Sequence, residues 1–441
     1  MKIQLSEHFT YKKLFRFVFP SIIMMIFTSI YGMIDGLFVS NFVNDKAFAA
    51  INFIYPLIMI LGGMGFMIGT GGSALVSKVL GEKDELEARK YFTMMIIFTI
   101  ILGIFLTIIG LLLIKPFALI SGISPEVYAY SVTYSRIVIS FITFFMLQNV
   151  FQSFLITSEN PQLGLFVTVL AGITNIILDA LFIAVLNFGV IGAAIATCIG
   201  QFIGGVIPLF YFCKKSSLLH FTKTKLEIKP ILKACWNGSS ELMSNISSSI
   251  VSMLYNFQLL KLIGDYGVSS YGVLMYLQFV FLAISIGYSI GIAPIISYNY
   301  GAKNSFELKN IFKKSMIFIA TSGICLTIIA QLLAIPLANL FVGYNEELFL
   351  LTIHALRLFS FSFLLSGFNV FSSSLFTALN NGTISAIISF LRTLVFQVLS
   401  IFLLPIFFKT DGIWLSIVAA EFCAFIISYI FIITKKKKYN Y

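Results

Sequence analysis

Asn175-Ile-Ile-Leu-Asp179 sets an amide and a carboxylate four residues apart, inside an apolar run from about 163 to 186 with no other charge. On a helix that spacing puts both side chains on one face, one turn apart. A carboxylate in hydrocarbon costs about 2.5–3.5 kcal/mol on insertion scales, so Asp179 requires a partner, a wetted cavity or a proton. Together the two groups suit a proton or a small hard cation such as Na⁺. The competing use of such a pair is to join two membrane helices by hydrogen bonds. Asp35, one turn after Tyr31, is the second candidate acid. Two neighbouring carboxylates favour a shared proton or cation, although Asp35 also suits a helix end at the headgroup level. Asn149, Gln152 and Thr197 are neutral groups able to complete an oxygen shell.

These residues must be positioned by membrane-spanning helices. The 441 residues are 59% hydrophobic and 11% charged, with mean hydropathy +0.98, which a soluble domain of this length does not show. Apolar runs long enough to span a bilayer fall near 14–39, 47–77, 91–114, 129–157, 162–186 and 189–213, then near 232–263, 267–299, 311–335, 348–379, 384–408 and 411–434. They predict an all-α membrane protein of twelve transmembrane helices. With the amino terminus in the cytoplasm, the inside segments collect 22 of the 29 Lys and Arg residues, whereas Lys46, Lys115 and Lys409 fall outside. That bias places both termini in the cytoplasm and turns the net charge of +11 into a topology signal with no nucleic-acid partner implied. The start of the chain reads as a retained tail, not a signal peptide.

The two halves match at one constant offset. Asp45 falls on Asp265, Gly81 on Gly301, Lys83 on Lys303 and Glu87 on Glu307, while Asn149-Val-Phe-x-Ser153 reappears as Asn369-Val-Phe-x-Ser373. Six spans per repeat is an even number, so the halves are parallel repeats, a plan suited to alternating access around a central cavity. The expected divisions are an amino-terminal six-helix lobe over 1–215 holding the cation site, a basic cytoplasmic linker over 216–232, and a carboxyl-terminal lobe over 233–441. Ionisable positions differ between the repeats. Asp35 falls on Tyr255, Asn175 on Val395 and Asp179 on Leu399, so the acid pair belongs to the first half alone.

Other charges inside apolar runs suggest structural ion pairs: Arg136 lies at a depth similar to Asp179, and Arg357 lies near the level of Glu421. The Arg357–Glu421 pairing is expected to be structural, and Arg392 has no evident partner and is expected to snorkel toward the cytoplasm. Pro20 removes a helix hydrogen bond in the first span. The glycines from Gly62 to Gly72 precede no Walker lysine and read as helix packing. The five Cys residues include no C-x-x-C pair, the three His residues show no metal spacing, and enzyme chemistry has no support. Phe53, Tyr55, Phe144, Phe145, Tyr276 and Phe279 are candidate cavity aromatics, which with carboxylates favour lipophilic cations.

Tyr31-Gly-Met-Ile-Asp35-Gly-Leu-Phe-Val, Ala49-Ala50 with Pro56, Gly81 and the charged run after it, Asn175-Ile-Ile-Leu-Asp179, Gly192-Ala-Ala-Ile-Ala-Thr197 and Asp411-Gly-Ile-Trp-Leu with Glu421 follow one another over nearly the whole chain. In this order they resemble the multidrug and toxic compound extrusion (MATE) family, and the Asn-x-x-x-Asp looks like one branch of it. The resemblance implies a secondary antiporter in a bacterial cell membrane that expels amphipathic, often cationic, compounds against protons or Na⁺. It implies a cation site, with Na⁺ as a candidate metal, at Asp35, Asn175, Asp179 and Thr197, supported by Tyr31, Asn149 and Gln152; Gln152 stands where an Asn is more usual. No cofactor beyond the coupling ion is expected, and the partners are membrane lipid and small amphipathic substrates of a monomer. A lipid-linked precursor flippase of the same superfamily is the alternative. A channel is disfavoured because the acids do not repeat, and a major-facilitator transporter because the run after Gly81 lacks that family's pattern.

Overall fold

The computed structural model describes residues 3–120 and 124–441, leaving Lys2 of the basic tail outside the described residues, and is helical almost throughout. The first half of the chain forms α1 (Tyr11–Phe42), α2 (Asp45–Gly81), α3 (Glu85–Ile120), α4 (Pro125–Ser140), α5 (Ile142–Thr157), α6 (Pro161–Asp179) and α7 (Gly189–Phe212). The second forms α8 (Ile228–Asn237), α9 (Ser239–Leu262), α10 (Asp265–Gly301), α11 (Ser305–Leu332), α12 (Ala334–Val342), α13 (Glu346–Phe359), α14 (Phe363–Ala378), α15 (Gly382–Phe390) and α16 (Phe396–Tyr439). Nine helices among the described residues are long and apolar enough to cross a membrane, or ten when α4 and α5, which meet at 54°, count as one span. The expected linker gives way to helix at Ile228.

The repeat seen in the sequence recurs in the helix stops. Both α2 and α10 run for 37 residues, and each is followed by a lysine in the left-handed region, Lys83 at φ 66° and Lys303 at φ 54°. A left-handed residue just past a helix end satisfies its last carbonyls. The next helices are then capped by Asp84, which accepts from the Glu87 N–H at 2.9 Å, and by Asn304, which accepts from the Glu307 N–H at 3.1 Å. At this end α2 and α10 touch backbone to backbone. A methyl group at Gly81 would stand 2.0 Å from the Tyr298 carbonyl oxygen, and one at Gly301 would stand 2.0 Å from that of Lys78. Only glycine permits this reciprocal crossing, which closes the two halves together at the end carrying the chain termini.

The first helix of each half packs into the core of the other. Leu14, Phe17, Val18 and Ile22 of α1 join Tyr288, Ile292 and Ile295 of α10, while Ile231 and Ala234 of α8 join Ile68 and Leu75 of α2. The stretch before α1 is fixed to both halves. Leu5 and Phe9 are fully buried; the Leu5 N–H donates to Glu159 Oε1 at 2.8 Å, and the Phe9 N–H donates to Glu307 Oε1 at 2.9 Å.

Three irregularities shape the interior. A π-helical turn over Ala180–Val185 follows α6, another over Leu391–Val395 joins α15 to α16, and Lys409 breaks α16 with φ 50° and ψ −127°. A straight helix of 44 residues would reach about 66 Å, twice the hydrocarbon core; the break at Lys409 instead leaves a short first piece, which reaches spanning length only together with α15 and the π-helical turn, and a longer second piece of spanning scale.

Candidate functional site

α1, α6 and α7 converge at one polar spot. Gly200 of α7 allows the approach, since a methyl there would lie 3.1 Å from the Ala171 carbonyl oxygen and 3.3 Å from Asn175 Cβ. A cavity of about 60 Å³ opens between these helices, lined by Tyr31, Asp35, Asn175, Thr197, Gln148 and Gln201 together with small residues. Asp179, fully buried at the last position of α6, lies one turn after Asn175 of the lining. It lies close enough to Asp35 for the two carboxyl groups to interact. Asp35 Oδ1, Asn175 Oδ1, both Asp179 oxygens, Thr197 Oγ1 and Gln201 Oε1 are buried with no hydrogen-bond partner among the described residues. Buried polar atoms are normally satisfied. Six orphaned oxygens, four of them on residues that line this cavity, form a donor set chemically able to take a proton or a cation.

The residues expected at the site therefore divide. Asp35, Asn175, Asp179, Thr197 and Tyr31 are brought together. Asn149 instead donates through Nδ2 to the Phe145 carbonyl at 2.9 Å, and Gln152 Nε2 donates to Thr168 Oγ1 at 3.2 Å; neither lines the cavity. In their place stand Gln148 and Gln201, and the Tyr134 hydroxyl lies beside Thr197. Gln201 was findable, being four residues after Thr197 in an apolar run and so on the same face.

The aromatics divide likewise. Tyr55, 49% exposed, lies within electrostatic reach of Asp35. Tyr276 crosses from α10, its hydroxyl 3.7 Å from where a Gly36 methyl would stand. Phe53 packs against Phe117 at 5.4 Å, Phe144 against Phe202 at 5.0 Å and Phe145 against Phe66 at 6.2 Å, all within the first half. Phe279 is 60% exposed.

The Arg357–Glu421 pair does not form. Glu421 is paired with Arg392, whose Nε and Nη2 donate to it at 2.8–3.0 Å, and Asn369 Nδ2 adds a third bond at 2.7 Å. Arg357 is exposed, and among the described residues no carboxylate pairs with it or with Arg136. Arg392 lies at the start of the π-helical turn and points inward at Glu421 instead of toward a membrane surface, since the buried carboxylate offers it charge neutralisation.

A sequence profile of the MatE family matches twice, over residues 20–181 and 242–403, once in each half. The chain belongs to the MatE family. As a MatE protein it is a membrane transporter and not an enzyme. It is 27% identical over 433 residues to the multidrug export protein MepA of Staphylococcus haemolyticus, covering 96% of this chain and 94% of that one. It is 24% identical over 417 residues to MepA of Staphylococcus aureus strain MRSA252, covering 94% and 92%. Among solved structures, an outward-facing multidrug resistance MATE transporter of the MOP superfamily superposes with a TM-score of 0.92 at 23% identity, over 98% of this chain and 97% of that one. A MOP superfamily transporter from Pyrococcus furiosus, described as having a binding pocket of reverse polarity, superposes at 0.90 and 23% identity, over 99% and 98%. These likenesses assign the MatE fold to the whole described chain.

Proposed function

We propose that this chain is a multidrug exporter that moves lipophilic, often cationic, compounds out of the cell against protons or Na⁺ by alternating access. The observation that carries the reading is the cluster of orphaned oxygens around Asp35 and Asp179. Two buried carboxylates with no base beside them are electrically incomplete, so the site holds a proton or a cation in at least one conformation. An ion drives a conformational switch only through differential affinity for the two states. A site at the contact of three helices changes its oxygen geometry whenever those helices shift, and so meets that requirement. The relatives named as multidrug export proteins support the substrate class. Asn175 and Asp179 supply the Asn-x-x-x-Asp of the branch to which we assign the chain.

In this reading there are twelve crossings. α9, too polar to pass a strict hydropathy test, supplies one more, and so does the break at Lys409, which parts α15 and the first piece of α16 from the second piece. Both termini lie in the cytoplasm of a bacterium, the reciprocal glycine contact of α2 with α10 seals that side, and the protein works as a monomer. The test is dye-cation transport in proteoliposomes under a proton gradient and, separately, a Na⁺ gradient. Gradient-driven uptake is expected from the unmodified protein and not from Asp179→Asn, and the gradient that drives it names the ion. Equal transport by both proteins removes Asp179 from the mechanism.

A further inference from the structure

Gln201 shares the cavity with Asp35, beside which Asp179 lies, but differs from both acids in what it can bind. α7 sets it one turn from Thr197 on the same face, and the Oε1 of the one and the Oγ1 of the other are both buried and unpartnered among the described residues. The repeat shows what this position does when its charge is satisfied internally. Gln201 falls on Glu421, and Gly172 falls on Arg392, the base that neutralises Glu421. In the first half, Gly172 offers no side chain. The rings of Phe27 and Tyr31 occupy the space over it, a methyl there standing 2.4 Å from Phe27 Cε1 and 3.0 Å from Tyr31 Cδ1. Gln201 therefore faces the cavity with a neutral amide and no cationic neighbour from that side.

Carboxylates accept a proton or coordinate a hard cation, whereas an amide oxygen coordinates a cation but does not take up a proton at ordinary pH. Removing an amide from such a site therefore acts on the metal ion and spares the proton. The cavity, about 60 Å³, has room for an ion and a few waters. Oxygen-bearing side chains of six residues on four helices line it, which is the donor chemistry of an alkali cation and more than a proton requires. We propose that Gln201 Oε1 is a selectivity ligand that admits Na⁺ to the Asp35–Asp179 site and sets the preference of the transporter for Na⁺ over protons.

The proposal rests on the cation-coupled reading above, and its test separates the two. Binding of radiolabelled Na⁺ to the purified full-length protein is measured at mildly alkaline pH for the unmodified chain, Gln201→Leu and Gln201→Glu. The same variants are assayed for dye uptake driven by a proton gradient in Na⁺-free medium and by a Na⁺ gradient. Gln201→Leu is expected to weaken Na⁺ binding about tenfold or more and to lower Na⁺-driven uptake by a clearly larger factor than proton-driven uptake. Gln201→Glu restores Na⁺ binding. Unchanged Na⁺ affinity in Gln201→Leu overturns the proposal, as does a parallel fall of both activities. Absence of Na⁺ binding by the unmodified protein overturns it too, yet leaves a proton-driven exporter standing. Absence of dye uptake under either gradient defeats the export reading, and the Na⁺ binding of Gln201→Leu still decides the role of Gln201.

Discussion

Two polar clusters lie inside two halves of one repeated scaffold, and they are balanced in different ways. In the second half Glu421, only 1% exposed, is held by Arg392 and Asn369, so its charge is neutralised internally. In the first half Asp35 and Asp179 face each other with no base between them and their oxygens unpartnered. Where the first half has Asp35, the second has Tyr255, 2% exposed and stacked on Tyr271 at 4.8 Å. One half has filled its interior site with a ring and an internal ion pair. The other has left buried oxygens without an internal partner among the described residues. Under the proposed function, the duplicated bundle carries its exchangeable charge in one copy only.

Breaking the self-contained half should cost the most. Arg392→Leu leaves Glu421 buried without its partner, and removing one member of a buried pair destabilises by about 3–5 kcal/mol. Thermal unfolding in detergent is expected to show that loss and to show much of it recovered in Arg392→Leu with Glu421→Leu; a single variant as stable as the original would contradict the pairing. Tyr255→Ala opens a cavity in a packed core and is expected to cost a similar or slightly smaller amount, about 3–4 kcal/mol. The open half should behave in the opposite sense. Asp179→Asn abolishes gradient-driven transport yet leaves the unfolding temperature unchanged or raised, because it removes an unpaired buried charge. A large drop in stability would instead mark Asp179 as structural. At the bottom of the scale, Lys46→Ala at the Lys46–Glu126 ion pair, where both side chains are more than half exposed, should shift stability by less than about 0.5 kcal/mol.

Periodicity made part of this contrast legible. Asn175 and Asp179 share a helix face by spacing alone, and an acid in a long apolar run needs no structure to draw attention. The matched positions of the two halves likewise set Tyr255 where the first half has Asp35, by sequence alone. Neutral residues hid the rest. Gln148 and Gln201 carry no charge to mark them, while Asn149, the more conspicuous amide, turns back to the carbonyl one turn before it on its own helix. The partner of Arg392 was hidden for a different reason. Counting residues along an α-helix gives depth and face, and does not tell that a base at the start of the π-helical turn points inward at a buried carboxylate.

The segment ahead of α1 gives the closed end of the molecule a natural reporter. Its Leu5 and Phe9 side chains are fully buried, and Glu159 of the first half and Glu307 of the second each hold one of its backbone N–H groups. A protease that recognises leucine or phenylalanine must seat that side chain in its own specificity pocket, so neither bond can be cut while the segment is docked. Cleavage at Leu5 or Phe9 then counts the molecules in which the segment has come away from the two halves, and limited digestion in the presence of substrate or ion becomes a readout of that population with no label attached.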